Sequence, residues 1–172
     1  MIVASPRLVM RPFAVADLRD LAAEADDPRI AEHLRDGFPS PYTTRDARRF
    51  ISSVRDAEPF TAMAITRDGR VIGGIGLTPG LDVYRLNGEI GYWIGVAHWG
   101  QGIASEAVAA FVAAIWANTP MERLHADVFS DNPASERVLE KCGFVRESIQ
   151  RRAVIKNGVI RDLAIWVVLR GG

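Results

Sequence analysis

The stretch "HWGQGIASEAV", His98 to Val108, sets two glycines and an alanine directly before a run of helical pattern. A glycine turn that feeds a helix aims several backbone N–H groups at one point, at the positive end of the helix dipole. The chemistry this suits is the holding of an anion, above all a phosphate. Nucleotide hydrolysis in the P-loop manner is excluded, because no lysine follows Gly102. A dinucleotide fingerprint aligned on Gly100 and Gly102 places Ser105 where a small third residue belongs, and it follows antiparallel strands instead of opening a parallel sheet. The third reading is a turn that binds nothing, the glycines serving only a tight strand-to-helix reversal. From the turn alone, phosphate, dinucleotide and empty turn all stay open.

Other residues with chemical potential lie on either side. In "DNPASERVLEKCGF", Asn132 and Ser135 stand one turn apart at the start of a helix. Read blandly, they are an N-cap and a first-turn serine that satisfies the backbone. Glu89, in "GEIGYWIGV", shares a strand face with Gly91 and Trp93. It is either a free carboxylate able to take a proton or a sheet-edge carboxylate paired to an arginine. His33, His98 and His125 are scattered without metal-ligand spacing, so no metal is expected. Cys142, beside the glycine that ends its helix, reads as a buried thiol and not as a nucleophile.

The elements that position these residues are well punctuated. "RLVMRPF" alternates as a first strand, and Leu18, Leu21, Ala22 and Ala25 recur at helical spacing until Pro28. Thr43 or Thr44 caps a second helix through "RDARRFISSV". "FTAMAIT" and "VIGGIGLTP" form a hairpin about Asp68 and Gly69, and Gly88 to Val96 is the next strand. Ala104, Ala107, Val108, Phe111, Val112, Ile115 and Trp116 then mark an amphipathic helix. "RLHADVFS" follows as a strand, which makes a βαβ unit about the glycine turn. Asn132, Pro133 and Gly143 bound the next helix, and Asn157 with Gly158 turns a last hairpin whose arm from Leu163 to Leu169 is apolar on both faces.

The 172 residues suit one domain spanning 1–172. Lysine plus arginine and aspartate plus glutamate are equal at 21 each, so no global field draws the chain to nucleic acid or an anionic membrane. With a lone cysteine, no leader pattern and no apolar run of spanning length, a cytoplasmic protein is expected.

Taken together, "YWIGVAHWGQGIASEAV" and "DNPASERVLEKCGF" resemble the GCN5-related N-acetyltransferase (GNAT) superfamily, and more closely its ribosomal-protein alanine N-acetyltransferase-like branch. The likeness extends from "RLVMRPF" to "RDLAIWVVL". It implies an α/β (α+β) fold: a mixed, mostly antiparallel central sheet of about seven strands with about four helices and a splay between central strands. The family turn R/Q-x-x-G-x-G/A holds the pyrophosphate of acetyl-coenzyme A, and Trp99, Gly102 and Ala104 take its fixed positions here, with an aromatic in place of Arg or Gln. The resemblance further implies that Ile94, Gly95 and Val96 offer backbone hydrogen bonds to the pantetheine arm. Gln101, Gly102, Ile103, Ala104 and Ser105 would wrap the pyrophosphate, and Asn132 would reach the cofactor. A backbone N–H near Ile94 would meet the oxyanion, Ser135 would protonate the leaving thiolate, and Glu89 would be the base.

The implied reaction moves the acetyl group of acetyl-coenzyme A to a primary amine, a protein N-terminal α-amine or a small-molecule amine, by direct attack on the thioester. A noncatalytic acyl-coenzyme A sensor is the alternative. A homodimer is compatible with the sequence, which names no acceptor.

Overall fold

In the computed structural model, which describes residues 1–172, one sheet runs through the chain in the order β1-β2-β3-β4-β5-β6-β8-β7. Its strands are β1 (Val3–Ala4), β2 (Val9–Pro12), β3 (Met63–Arg67), β4 (Arg70–Pro79), β5 (Asn87–Ile94), β6 (Arg123–Phe129), β7 (Val145–Lys156) and β8 (Val159–Leu169). The helices are α1 (Leu18–Ala25), α2 (Pro28–Ala31), α3 (Thr44–Val54), α4 (Ile103–Asn118) and α5 (Pro133–Lys141). The fold class is the one expected, with eight strands and five helices where about seven and four were anticipated. The extra strand, β1, is two residues long and exists through its pairing of Val3 with Met10. The extra helix, α2, arises because Pro28 opens a helix as well as closing the one before: the Asp27 side chain accepts the Arg29 N–H at 2.9 Å and Pro28 takes the first helical position.

Burial explains the layers. In β6, Leu124, Ala126 and Val128 are buried while Arg123, His125, Asp127 and Phe129 are half-buried on the opposite face. The first set meets α4, whose Ile103, Ala107, Val108, Phe111 and Ile115 are buried and whose Phe111 stands edge-on to Phe60 at 5.6 Å. On the other face, α1 and α3 close a smaller core around Leu21, Ala47, Ile51 and Phe13. The Thr43–Asp46 capping box that starts α3 is formed as expected. Gly73 and Gly76 serve close backbone approach, since a Cβ on them would collide with the carbonyls of Trp93 and Thr61. β8 lies between β6 and β7, with Leu163 to Val167 buried.

The functional consequence of the fold lies between β5 and β6, the one parallel pair in the sheet. They pair only at Asn87 with Arg123, Gly88 with Leu124 and Glu89 with His125. Beyond that point β5 stays on β4 as far as Gly73 with Ile94, and β6 stays on β8 as far as Phe129 with Leu163. The two strands therefore diverge, which is the expected splay. Gly95 N–H donates to Ile72 O at 2.8 Å, so alternation turns the N–H and C=O groups of Ile90, Tyr92 and Ile94 into the gap. β5 ends at Ile94, two residues earlier than the sequence pattern suggested, because Val96–His98 already coil into a 3-10 turn.

Candidate active site

A cleft of about 660 Å³ fills this gap. Its walls are β5 from Ile90 to Ile94, β6 from Ala126 to Phe129, the glycine turn, the first turns of α4 and α5, and the segment from Arg29 to Leu34. At one end α4 begins on Gly102 in the left-handed conformation, φ 73°, after Gly100 at φ 72°. No side chain caps this helix, so its first-turn N–H groups have no side-chain acceptor and face the cleft with Gly102, Ile103, Ala104 and Ser105. That is the arrangement an anionic group requires.

The turn is braced from behind. Arg7 Nε lies 2.6 Å from Glu106 Oε2, Arg7 Nη1 donates to Gln101 O at 3.0 Å, and Ser5 Oγ lies 2.7 Å from Glu106 Oε1. Burial pulls the Glu106 carboxyl upward, but the hydrogen bonds from Ser5 and Arg7 outweigh it and hold the group below its ordinary value. The Gln101 side chain donates to Ala97 O at 3.0 Å and accepts from Arg67 at 3.2 Å, outside the cleft wall. Gly95 and Val96 also lie outside the wall. Trp99 takes up a role the motif did not disclose: its Nε1 donates to Ile94 O at 2.7 Å, tying the turn to the end of β5.

Toward the middle of the cleft, Asn132 Oδ1 accepts the Ser135 N–H at 3.1 Å, and so caps α5 while standing in the wall. Ser135 Oγ is 2.7 Å from Tyr92 Oη. Burial, partly offset by the Ser135 hydrogen bond, pushes the Tyr92 phenol well above its usual range, so it stays protonated. Tyr92 was missed at the sequence level; alternation with Ile90 and Ile94 could have placed it on the cleft face. Arg137 and Lys141, one turn apart on α5, add positive charge to the same wall. Cys142 Sγ donates to Ser105 O at 3.3 Å, and burial pushes its thiol up.

Glu89 stands apart from these groups. It is the last β5 residue paired with β6, its Oε1 meets Arg35 Nη2 at 2.5 Å, and it faces a second, polar pocket instead of the cleft. Of the residues expected at the site, the structure brings together Ile94, Gly102, Ile103, Ala104, Ser105, Asn132 and Ser135. Glu89, Gly95, Val96 and Gln101 lie beyond its walls.

Residues 7–145 match the family model described as the acetyltransferase (GNAT) domain. The chain is 33% identical over 172 residues to a probable N-acetyltransferase, YjcK, of Bacillus subtilis (strain 168), covering 94% of this chain and 93% of the relative. In fold it is similar to a GNAT-family acetyltransferase from Bacillus anthracis, with a TM-score of 0.88, 21% identity and 100% of each chain covered. It is also similar to RimL, a ribosomal L7/L12 alpha-N-protein acetyltransferase solved with coenzyme A, with a TM-score of 0.85, 19% identity and 98% of each chain covered.

Proposed function

The chain belongs to the GNAT acetyltransferase family and is an acetyltransferase, and from that premise we propose that it transfers the acetyl group of acetyl-coenzyme A to a primary amine by direct attack on the thioester. The observation that carries this reading is the cleft itself. One end presents an uncapped helix start, and its middle presents the Ser135–Tyr92 hydroxyl pair beside the part of β5 that lies past its pairing with β6.

Phosphates are held by the N–H groups at Gly102 to Ser105, with Arg137 and Lys141 contributing charge at the same wall. The pantetheine amides pair with the outward-turned groups of β5 in the manner of an added strand. The Ile94 N–H, turned into the gap, would meet the charge that the thioester oxygen gains and stabilise the tetrahedral intermediate as a preorganised donor. Ser135, hydrogen-bonded to a phenol that stays neutral, supplies the proton that the departing thiolate requires. Glu89 is bound to Arg35 and faces the second pocket. The acceptor is a protein N-terminal α-amine, as the RimL description states of that relative, or a small-molecule amine.

The test is a thiol-release assay with acetyl-coenzyme A and a panel of amines: short peptides beginning with serine or alanine, phenylethylamine and an aminoglycoside. Amine-dependent release of coenzyme A is expected for at least one of them. Tight binding of acetyl-coenzyme A without any amine-dependent release would favour the noncatalytic sensor.

A further inference from the structure

Direct attack requires a neutral amine, and an alkylammonium must first lose a proton to something beside the thioester. Glu89, the carboxylate the sequence singles out, is committed to Arg35 and turned out of the cleft. Asp127 is placed differently. It lies two residues past the β5–β6 vertex on the same strand face as His125 and stands in the cleft wall. Its Oδ1 is 3.0 Å from His125 Nδ1, while Oδ2 comes no nearer than 4.0 Å to Arg35 Nη2, too long for a hydrogen bond. One carboxylate oxygen is therefore fixed by the imidazole and the other is left for a ligand. His125 lines the second pocket, about 520 Å³, with Tyr84, Asn87 and Arg123, so the pair spans the cleft wall and this pocket.

We propose that Asp127, oriented by His125, is the carboxylate that receives the acceptor's ammonium group and takes its proton, a role that rests on the amine-acetylating reading above. The charged and titratable groups around the pair are Glu89 from β5, Arg35 from the segment after α2, Tyr84 from the β4–β5 connection, and Arg123, itself held by Glu147 at 2.6 Å. β8 faces the pair with Ile165 and Val167, which carry no charge. The protons balance as follows. One ammonium proton goes to Asp127 Oδ2 and on to solvent. The nitrogen then forms the C–N bond to the thioester carbon, the C–S bond breaks, and the second proton lost from nitrogen reaches sulfur through the Ser135 hydroxyl. His125 touches no reacting atom; it is a positioning residue.

The experiment measures kcat and KM against pH for wild type, Asp127→Asn, Glu89→Gln, His125→Leu and His125→Gln, using the best-accepted amine of the panel above. Asp127→Asn is expected to lower kcat/KM for the amine at least about 100-fold near neutrality. Its rate should rise about tenfold per pH unit toward the amine's own pKa, as only the free base then reacts. The KM for acetyl-coenzyme A should hold within about twofold. His125→Leu should lower kcat about tenfold, and His125→Gln, which keeps a donor for Asp127, should recover most of that. If Asp127→Asn keeps the wild-type profile, or if Glu89→Gln alone acquires the free-base profile, the proposal is overturned while the acetyltransferase reading stands. If no amine in the panel is acetylated, both fall. Loss of acetyl-coenzyme A binding in Asp127→Asn would assign the residue to structure and overturn the catalytic role.

Discussion

At the scale of single residues, the proposed leaving-group step rests on the 2.7 Å contact between Ser135 Oγ and Tyr92 Oη. Burial holds the Tyr92 phenol above its ordinary value, so it stays neutral and orients the Ser135 hydroxyl, through which the proposed step passes the nitrogen's second proton to sulfur. Ser135→Ala is therefore expected to lower kcat at least about tenfold while leaving acetyl-coenzyme A affinity within about twofold, read by thiol release and calorimetric titration. An unaltered rate would remove Ser135 as the acid. Half of this pair was legible in the sequence. Ser135 follows Asn132 at one-turn spacing, and a helix start fixes that geometry locally, down to the 3.1 Å cap. Tyr92 was not legible as a partner, because strand alternation assigns a face but not what stands over it, and its partner lies 43 residues away. For the same reason Glu89 could be read equally as a base or as one half of an ion pair; Arg35, from another element, supplies the second answer.

At the scale of elements, the turn and the splay work as one device. β5 and β6 separate after Glu89 and His125, and α4, starting at Gly102, points its uncapped end into the opening. A Cβ at Gly102 would find only Arg7 Nη2 at 3.6 Å, so Gly102→Ala meets conformational strain at φ 73° and no steric clash. It should cost ~1–2 kcal/mol of stability in urea unfolding. Gly102→Glu adds a negative charge where the phosphates would lie and should abolish coenzyme A binding in a calorimetric titration, beyond what the strain seen in Gly102→Ala explains. Equal affinity of Gly102→Glu and Gly102→Ala would mean that the turn holds no phosphate. These elements were readable because local chemistry punctuates them: glycine before α4, Asn132 and Pro133 before α5, Asn157 and Gly158 between β7 and β8. β1 was not, since two residues hold no period and the strand depends on β2. The bulges in β7, near Ser148 and before Val154, where Arg152 has φ 53°, were equally hidden on an exposed edge with no buried face to set a pattern.

At the scale of the whole molecule, balanced charge leaves stability to specific buried groups instead of a net field. On the acid side, burial raises Asp17, but the Arg11 guanidinium and the Ala14 N–H outweigh it and hold the carboxyl below its ordinary value. On the alkaline side the arginines are raised further, Arg11 by its Asp17 hydrogen bond and Arg35 by Glu89, so these ion pairs persist well past pH 10. The buried hydroxyls and thiol make a stability contribution of their own at the alkaline end. Tyr42, packed against Phe38 at 5.0 Å, is pushed up to about 12, chiefly by burial and then by Asp46, and Tyr92 and Cys142 are raised as well. Each is neutral in the fold and ionises more readily in the unfolded chain, where a tyrosine titrates near 10. The stability they support is thus complete below their unfolded values and lost as pH rises through them. For Tyr42 alone the window is pH 10 to 12, and the loss is about 2–3 kcal/mol. The urea midpoint should fall steeply across that window in wild type and less steeply in Tyr42→Phe, the two differing little at pH 8. Parallel curves for the two proteins would place the alkaline weakness elsewhere. Because Tyr42 belongs to the loop that packs Phe38 onto Trp93 of β5, the same rise in pH should loosen the support of the cleft wall at Trp93 before the α4 core gives way. Amide exchange at pH 11 in the segment from Phe38 to Thr44 should then outpace that in Phe111 to Ile115, the order expected if the wall and the core open as separate cooperative units.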